Sequence, residues 1–190
     1  MPGGPRLEPA ALFGRRAPLV LEIGSGMGEA TAAMAAADPD RDYLAADVHT
    51  PGLANLLALA ERGGLANIRA ARGDAIDLLR DLVAPGSLDA VHVYFPDPWP
   101  KVKHHKRRLI RPDAVALIGA SLRRGGLLRC ATDWEPYAQQ MLEVLSADTG
   151  LRNDFPGFAP DAGPRPEAKF ERRALACGRP VFDLVFRRTS

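Results

Sequence analysis

Four acids stand where a segment rich in small or branched apolar residues runs out: Glu22, Asp47, Asp74 and Asp97. Glu22 precedes a glycine run, Gly24-Ser-Gly26-Met-Gly28. Glycines at a strand-to-helix turn let the backbone approach a ligand at the carboxyl ends of the strands. The pattern is G-x-G-x-G, not the G-x-G-x-x-G of dinucleotide sites, and an acid two residues before it is a poor neighbour for pyrophosphate. A carboxylate there suits a cationic ligand such as S-adenosyl-L-methionine, which carries a sulfonium and an ammonium. Asp47 can accept from both hydroxyls of an adenosine ribose, for a dinucleotide as much as for S-adenosylmethionine. Asp74 is either an acceptor for an adenine amino group or a helix cap, and the two roles are compatible.

Asp97 lies in Phe95-Pro96-Asp97-Pro98-Trp99-Pro100-Lys101, where prolines restrict the backbone on both sides. Immediately after come Lys103, His104, His105, Lys106, Arg107, Arg108 and Arg111, with no acid between Asp97 and Asp113. Net charge is only +2, so the rest of the chain is mildly acidic and the positive charge is concentrated here. Such a patch attracts a polyanion. Asp97 is thus the candidate for chemistry and the basic run the candidate for nucleic-acid contact. Trp99 could stack a base or pack under the loop.

These residues need a scaffold that gathers strand ends. Apolar runs at 18–23, 42–47, 67–71, 88–95 and 127–131 alternate with helical patterns at 29–37, 51–62, 74–83, 112–122 and 135–147. That alternation predicts a parallel sheet with helices on both faces. Residues 151–155 and 181–187 supply two further strands, 156–168 reads as a proline- and glycine-rich loop, and Arg123-Arg-Gly-Gly126 as a turn. Thr132-Asp133 stands before the last helix as a cap. Residues 1–17 are expected to form a short flexible lead and 18–190 a single domain. No apolar run approaches ~18 residues, which excludes a membrane-spanning helix. Cys130 and Cys177 show no paired spacing, which argues against a disulfide framework or a zinc site and for a reducing, cytoplasmic setting. His49 and His92 take no role.

Between Leu21 and Phe186 the chain resembles the bacterial tRNA (guanine-N7)-methyltransferase family. The pieces that carry the resemblance are LEIGSGMGEAT, Asp47-Val-His-Thr-Pro-Gly52, FPDPWPKVKHHKRRLI, ATDWEPYAQQM and Lys169-Phe-Glu171-Arg-Arg, in that order. The resemblance implies a Rossmann-like class I methyltransferase: a mostly parallel seven-stranded sheet with helices on both faces and an antiparallel last strand. It implies methyl transfer from S-adenosyl-L-methionine to N7 of guanosine 46 in the tRNA variable loop. Glu22, Gly24, Gly26, Asp47, Asp74 and Asp97 would bind the cofactor, with Asp97 the active-site acid. Lys101, Asp133, Ala168, Lys169, Phe170 and Glu171 would bind the guanosine, and Lys103 to Arg108 would touch RNA. The expected partner is tRNA, with no metal and no membrane, for a monomer or homodimer. Three departures stand out: Asp47 where the family commonly has Glu, Ala168 where it has Thr, and a short lead before Leu21.

Three other readings fit parts of the pattern. An amino-methyltransferase acting on adenine or cytosine would use a related acid-Pro-Pro-aromatic loop, but the order here is Asp97-Pro-Trp-Pro100. A nicotinamide-dependent oxidoreductase would share the fold but wants the other glycine spacing. A non-catalytic RNA-binding domain would keep the basic run without needing Glu22, Asp47 and Asp97 together.

Overall fold

The computed structural model describes residues 6–160, 163, 165–166, 171–172 and 176–189. Seven strands form one sheet in the order β3-β2-β1-β4-β5-β7-β6. They are β1 (Leu19–Ile23), β2 (Asp42–Asp47), β3 (Ile68–Arg72), β4 (Leu88–Tyr94), β5 (Leu122–Thr132), β6 (Leu151–Asn153) and β7 (Phe182–Arg188). β1 to β5 pair in parallel, and β7 runs antiparallel to both β5 and β6. This is the expected class I methyltransferase architecture. The chain winds outward from β1 to β3, then restarts at β4 on the other side of β1. That reversal opens a crevice beyond the carboxyl ends of β1 and β4.

Strand alternation sends residues to two cores. Leu19, Leu21 and Ile23 join Val91, Val93, Leu128 and Phe186 beneath α4 (Ala75–Asp81), α5 (Pro112–Ser121) and α6 (Glu135–Ala147). Val20 and Tyr43 face α2 (Glu29–Ala37) and α3 (Thr50–Gly63), packing with Ala35 and Leu56. Glu22, two residues after Val20, therefore points to the α2 side.

Two expectations change. Residues 6–17 are not a flexible lead. They contain α1 (Pro9–Phe13), whose Phe13 is buried in the larger core with the Arg69 guanidinium 4.9 Å over its ring. Arg69 Nε also donates to the Leu12 carbonyl at 2.9 Å, and the Leu7 N–H donates to Leu82 O at 2.7 Å. Phe13 in the core, Leu7 and Leu12 packed against it and these hydrogen bonds together hold the segment in place. Second, the turn expected at Arg123 to Gly126 lies inside β5. Leu88 pairs with Leu122 and Ala90 with Leu127, so the intervening residues bulge out of the ladder. Gly125 carries the bulge at φ +79°, a conformation glycine adopts without penalty.

Candidate active site

The carboxyl end of each parallel strand delivers one predicted residue: Glu22 on β1, Asp47 on β2, Asp74 just past β3, Asp97 past β4 and Asp133 past β5. The sheet thus gathers acids that are up to 111 residues apart in the chain.

Glu22 is 3% exposed. Its Oε2 accepts from Thr31 Oγ1 on α2, and burial pushes its carboxyl up to about 7 against the pull of that hydrogen bond. The glycine turn stands beside it with φ of +78°, +57° and +76° at Gly24, Gly26 and Gly28. An added Cβ would meet nothing within 4 Å at Gly24 or Gly26, so their backbone lines open space. At Gly28 the same atom would fall 2.4 Å from Leu56 Cβ, so this glycine serves helix packing instead. Asp47 braces the turn: its two oxygens accept from the Gly26 and His49 N–H groups, each at 2.8 Å. A cavity of about 100 Å³ is lined by Glu22, the turn, Tyr94 and Phe95. Asp74 caps α4 by accepting from the Ile76 N–H at 2.7 Å, so the helix-cap reading holds.

Past β4 the backbone is strained. Phe95 and Trp99 both stand before prolines, which favour extended conformations, yet have φ of +50° and +42°. They are the only non-glycine residues of positive φ among those described, and each costs on the order of 1–3 kcal/mol. The two strained residues stand on either side of Asp97. Asp97 itself is exposed. A second cavity, of about 470 Å³, is lined by Phe95, Pro96, Asp97, Pro98, Asp133, Cys177 and Arg179. Phe95 lines both cavities.

The basic run forms a 3₁₀ helix over Val102–Arg107. Lys101, Lys103, Lys106 and Arg107 are exposed, with His104 and His105 half-buried. Trp99 packs within the loop, its ring 5.7 Å from His104 and 4.8 Å beneath the Arg107 guanidinium. Arg108 corrects an expectation. It is 2% exposed, donates to Pro98 O at 2.8 Å and to Gln140, and lies 4.7 Å over the Tyr137 ring. Its charge is spent inside the protein, holding the proline loop onto α6, rather than offered to RNA.

Asp133 does not cap α6. Thr132 Oγ1 accepts from the Trp134 N–H at 3.2 Å instead, and Asp133 pairs with Arg179 at 2.6 Å. Glu171 is described and pairs with Arg165. Ala168, Lys169 and Phe170 lie outside the described residues. Arg165 and Arg179 are the participants that the sequence reading missed. An isolated arginine in a proline- and glycine-rich stretch reads as solvated. The available hint was Asp183, an acid inside the apolar strand Phe182–Arg188, which calls for a buried cation.

A family model described as "Putative methyltransferase" matches residues 16–184. The chain is 60% identical over 181 residues to the tRNA (guanine-N(7)-)-methyltransferase of Streptomyces coelicolor, covering 94% of this chain and 67% of that protein. It is 58% identical to the Streptomyces avermitilis protein of the same name, covering 97% of this chain and 64% of the relative. For the Bordetella parapertussis protein of that name the identity is 52%, covering 99% and 74%. The chain belongs to the tRNA (guanine-N7)-methyltransferase family. It spans about two thirds to three quarters of the length of these relatives.

Members of this family depend on S-adenosylmethionine. Among solved structures, the 16S rRNA methyltransferase KamB superposes with a TM-score of 0.71 at 18% identity, covering 95% of this chain and 92% of that one. The 16S rRNA (adenine(1408)-N(1))-methyltransferase of Catenulisporales acidiphilia, solved with SAM, gives 0.65 at 18%, covering 97% and 92%. At that identity the likeness concerns the fold. The residues at the end of β1 fit such a cofactor: open glycine backbone, a buried carboxylate to balance a cation, and Asp47 at hydrogen-bonding range of the same turn. Among the described residues no group of three or more His, Cys, Asp or Glu side chains could hold a metal ion, and no helix is long and apolar enough to cross a membrane.

Proposed function

We propose that this chain methylates N7 of a guanosine in tRNA, guanosine 46 of the variable loop, with S-adenosylmethionine as donor. The observation that carries the reading is the shared wall at Phe95. It lines the cavity of the glycine turn on one side and the cavity of Asp97 and Asp133 on the other. A donor in the first and a base in the second would meet at the strained loop.

Glu22 and the Gly24 to Gly26 backbone would hold the cationic amino-acid end of the cofactor, Asp47 its ribose, and Asp74 its adenine with the acceptor capacity its cap leaves. The bound cofactor supplies an electrophilic methyl group on a sulfonium. Guanine N7 has an in-plane lone pair and no proton to lose, so no side chain has to act as a base on the nucleophile. Transfer to that lone pair would leave the C–S bonding pair on the departing sulfide. What the protein contributes is alignment and electrostatics. Positive charge would move onto the guanine ring, and Asp97 would stabilise it. Asp133 and Glu171 would accept from guanine N1–H and the exocyclic amine, groups that adenine lacks in that arrangement. Lys101 would contact the acceptor nucleoside, and Lys103, His104, His105, Lys106 and Arg107 the RNA backbone. Such a protein works where tRNA is, in the cytoplasm, as a monomer or homodimer.

Incubation with tRNA and methyl-labelled cofactor, followed by nucleoside mass mapping, is expected to find 7-methylguanosine at position 46. Label in another nucleoside, or none above background, would remove the reading.

A further inference from the structure

We propose that Arg165 is a positioning residue for the acceptor side: it fixes the Glu171 carboxylate against the end of β4 by neutralising it jointly with Asp183. This rests on the proposed role of Glu171 toward the guanosine.

The Arg165 side chain is 1% exposed. Its Nη1 donates to Glu171 Oε2 and its Nη2 to Glu171 Oε1 at 3.0 Å. Nη2 also donates to Asp183 Oδ1 at 3.1 Å and Oδ2 at 3.2 Å. The guanidinium carbon lies 5.3 Å from the Tyr94 ring centroid and 5.5 Å from that of Phe95. One planar group therefore joins three parts of the chain, one of them about 70 residues away in sequence. These are the end of β4, the start of β7, and the segment that carries Glu171.

The charge balance gives this arrangement its force. Two carboxylates share one guanidinium. Burial and, less strongly, the Glu171 charge push the Asp183 carboxyl up; Arg165 opposes them by charge and hydrogen bond, with a smaller contribution from Arg129. Without Arg165, Glu171 and Asp183 would both lose the guanidinium that forks between them, and the Glu171 carboxylate would lose a bidentate tether to the end of β4. Lysine could not replace it. A point charge on a flexible stem neither forks to two carboxylates nor lies flat over two rings. An arginine serving the core alone could spend its donors on backbone carbonyls, as Arg108 does in part. Both terminal nitrogens of Arg165 donate to carboxylates, and its guanidinium lies over Tyr94 and over Phe95, the strained residue two before Asp97.

The test uses the full chain with tRNA. Arg165→Gln is expected to lower kcat/KM for tRNA by about 100-fold, the scale of a misplaced reacting partner. Cofactor Kd, by calorimetry, should stay within about threefold of the unsubstituted chain: Arg165 meets the wall of the cofactor cavity through the Tyr94 and Phe95 rings, and among the described residues none of its hydrogen bonds goes to the glycine turn. In a Glu171→Gln background, the same change should cost less than about threefold more, since a positioning residue has nothing left to position. Losses that multiply in the double variant, a parallel loss of cofactor affinity, or an unchanged kcat/KM would each overturn the proposal. So would a Glu171→Gln variant as active as the unsubstituted chain. If Arg165→Gln fails to fold by circular dichroism, Arg165→Lys, which keeps the charge, is read by the same split. The unsubstituted chain is assayed alongside. If it makes no 7-methylguanosine, the methylation reading falls; if it does and Arg165→Gln matches it, only the role of Arg165 falls.

Discussion

At the end of β1, Glu22 is buried, hydrogen-bonded to Thr31 and followed by glycines that adopt positive φ at little cost. At the end of β4, Asp97 is exposed, and the positive φ values around it belong to Phe95 and Trp99. One half is centred on residues suited to their conformations between Glu22 and Thr31, braced by Asp47 from β2. The other is strained locally and assembled from distant segments that bring Asp133, Arg179, Arg165 and Glu171. The difference matches the two tasks. A small cofactor can be met by a rigid prebuilt cradle. A base presented by a large RNA has to be received by a surface whose parts come from several strands, held by ion pairs that strand connectivity does not impose.

The contrast can be broken most forcefully at Asp97. Asp97→Ala is expected to reduce methyl transfer by about 10²–10³-fold, the cost of removing one electrostatic group from a transition state. Cofactor and tRNA should still bind measurably in equilibrium titrations. Near-normal turnover would take Asp97 out of the mechanism.

Glu22 tests the buried side through pH. Burial raises its carboxyl from 4.5 to about 7, so the ligand-free folded chain keeps a proton that the unfolded chain has lost. Stability should therefore fall as pH rises from about 4.5 to about 7, by on the order of 3 kcal/mol, and Glu22→Gln should flatten that slope in urea unfolding. A cation bound beside Glu22 favours the ionised form. Cofactor affinity should then drop about tenfold for each pH unit below about 7, with proton release seen as a buffer-dependent binding enthalpy. Affinity independent of pH would show that the cationic end of the ligand binds elsewhere.

Neighbouring arginines sharpen the comparison on the RNA side. Neutralising Lys103, Lys106 and Arg107 should weaken tRNA binding and reduce the slope of log K against log salt by about 0.7–0.9 per lost phosphate contact, with little change in stability. Arg108→Ala should do the reverse, costing about 2–3 kcal/mol of stability through its lost hydrogen bonds while leaving the salt slope nearly intact. If the two behaved alike, the inward role of Arg108 would be wrong. The smallest effect is at Asp74. Removing its cap by Asp74→Ala should cost about 1 kcal/mol in thermal unfolding, beyond any change in cofactor affinity.

Much of this was legible in one dimension. Short apolar runs alternating with helical patterns determine a parallel sheet, because a strand buried on both faces has to be apolar throughout and its crossovers have to be helical. The glycine spacing after Glu22 determined the shape of the turn, since only glycine takes those φ values freely in succession. The acids at strand ends were visible for the same reason: each interrupts an apolar run. What only tertiary structure decided concerns long-range pairing. Arg107 and Arg108 are identical letters in a row, and packing alone turned one outward and the other over Tyr137. Asp133 reads as a cap until Arg179, 46 residues on, claims it. Arg165 in a loop and Asp183 in a strand carry no local sign of each other. An ion pair depends on separation in space, and that separation is set by the order in which the strands join the sheet.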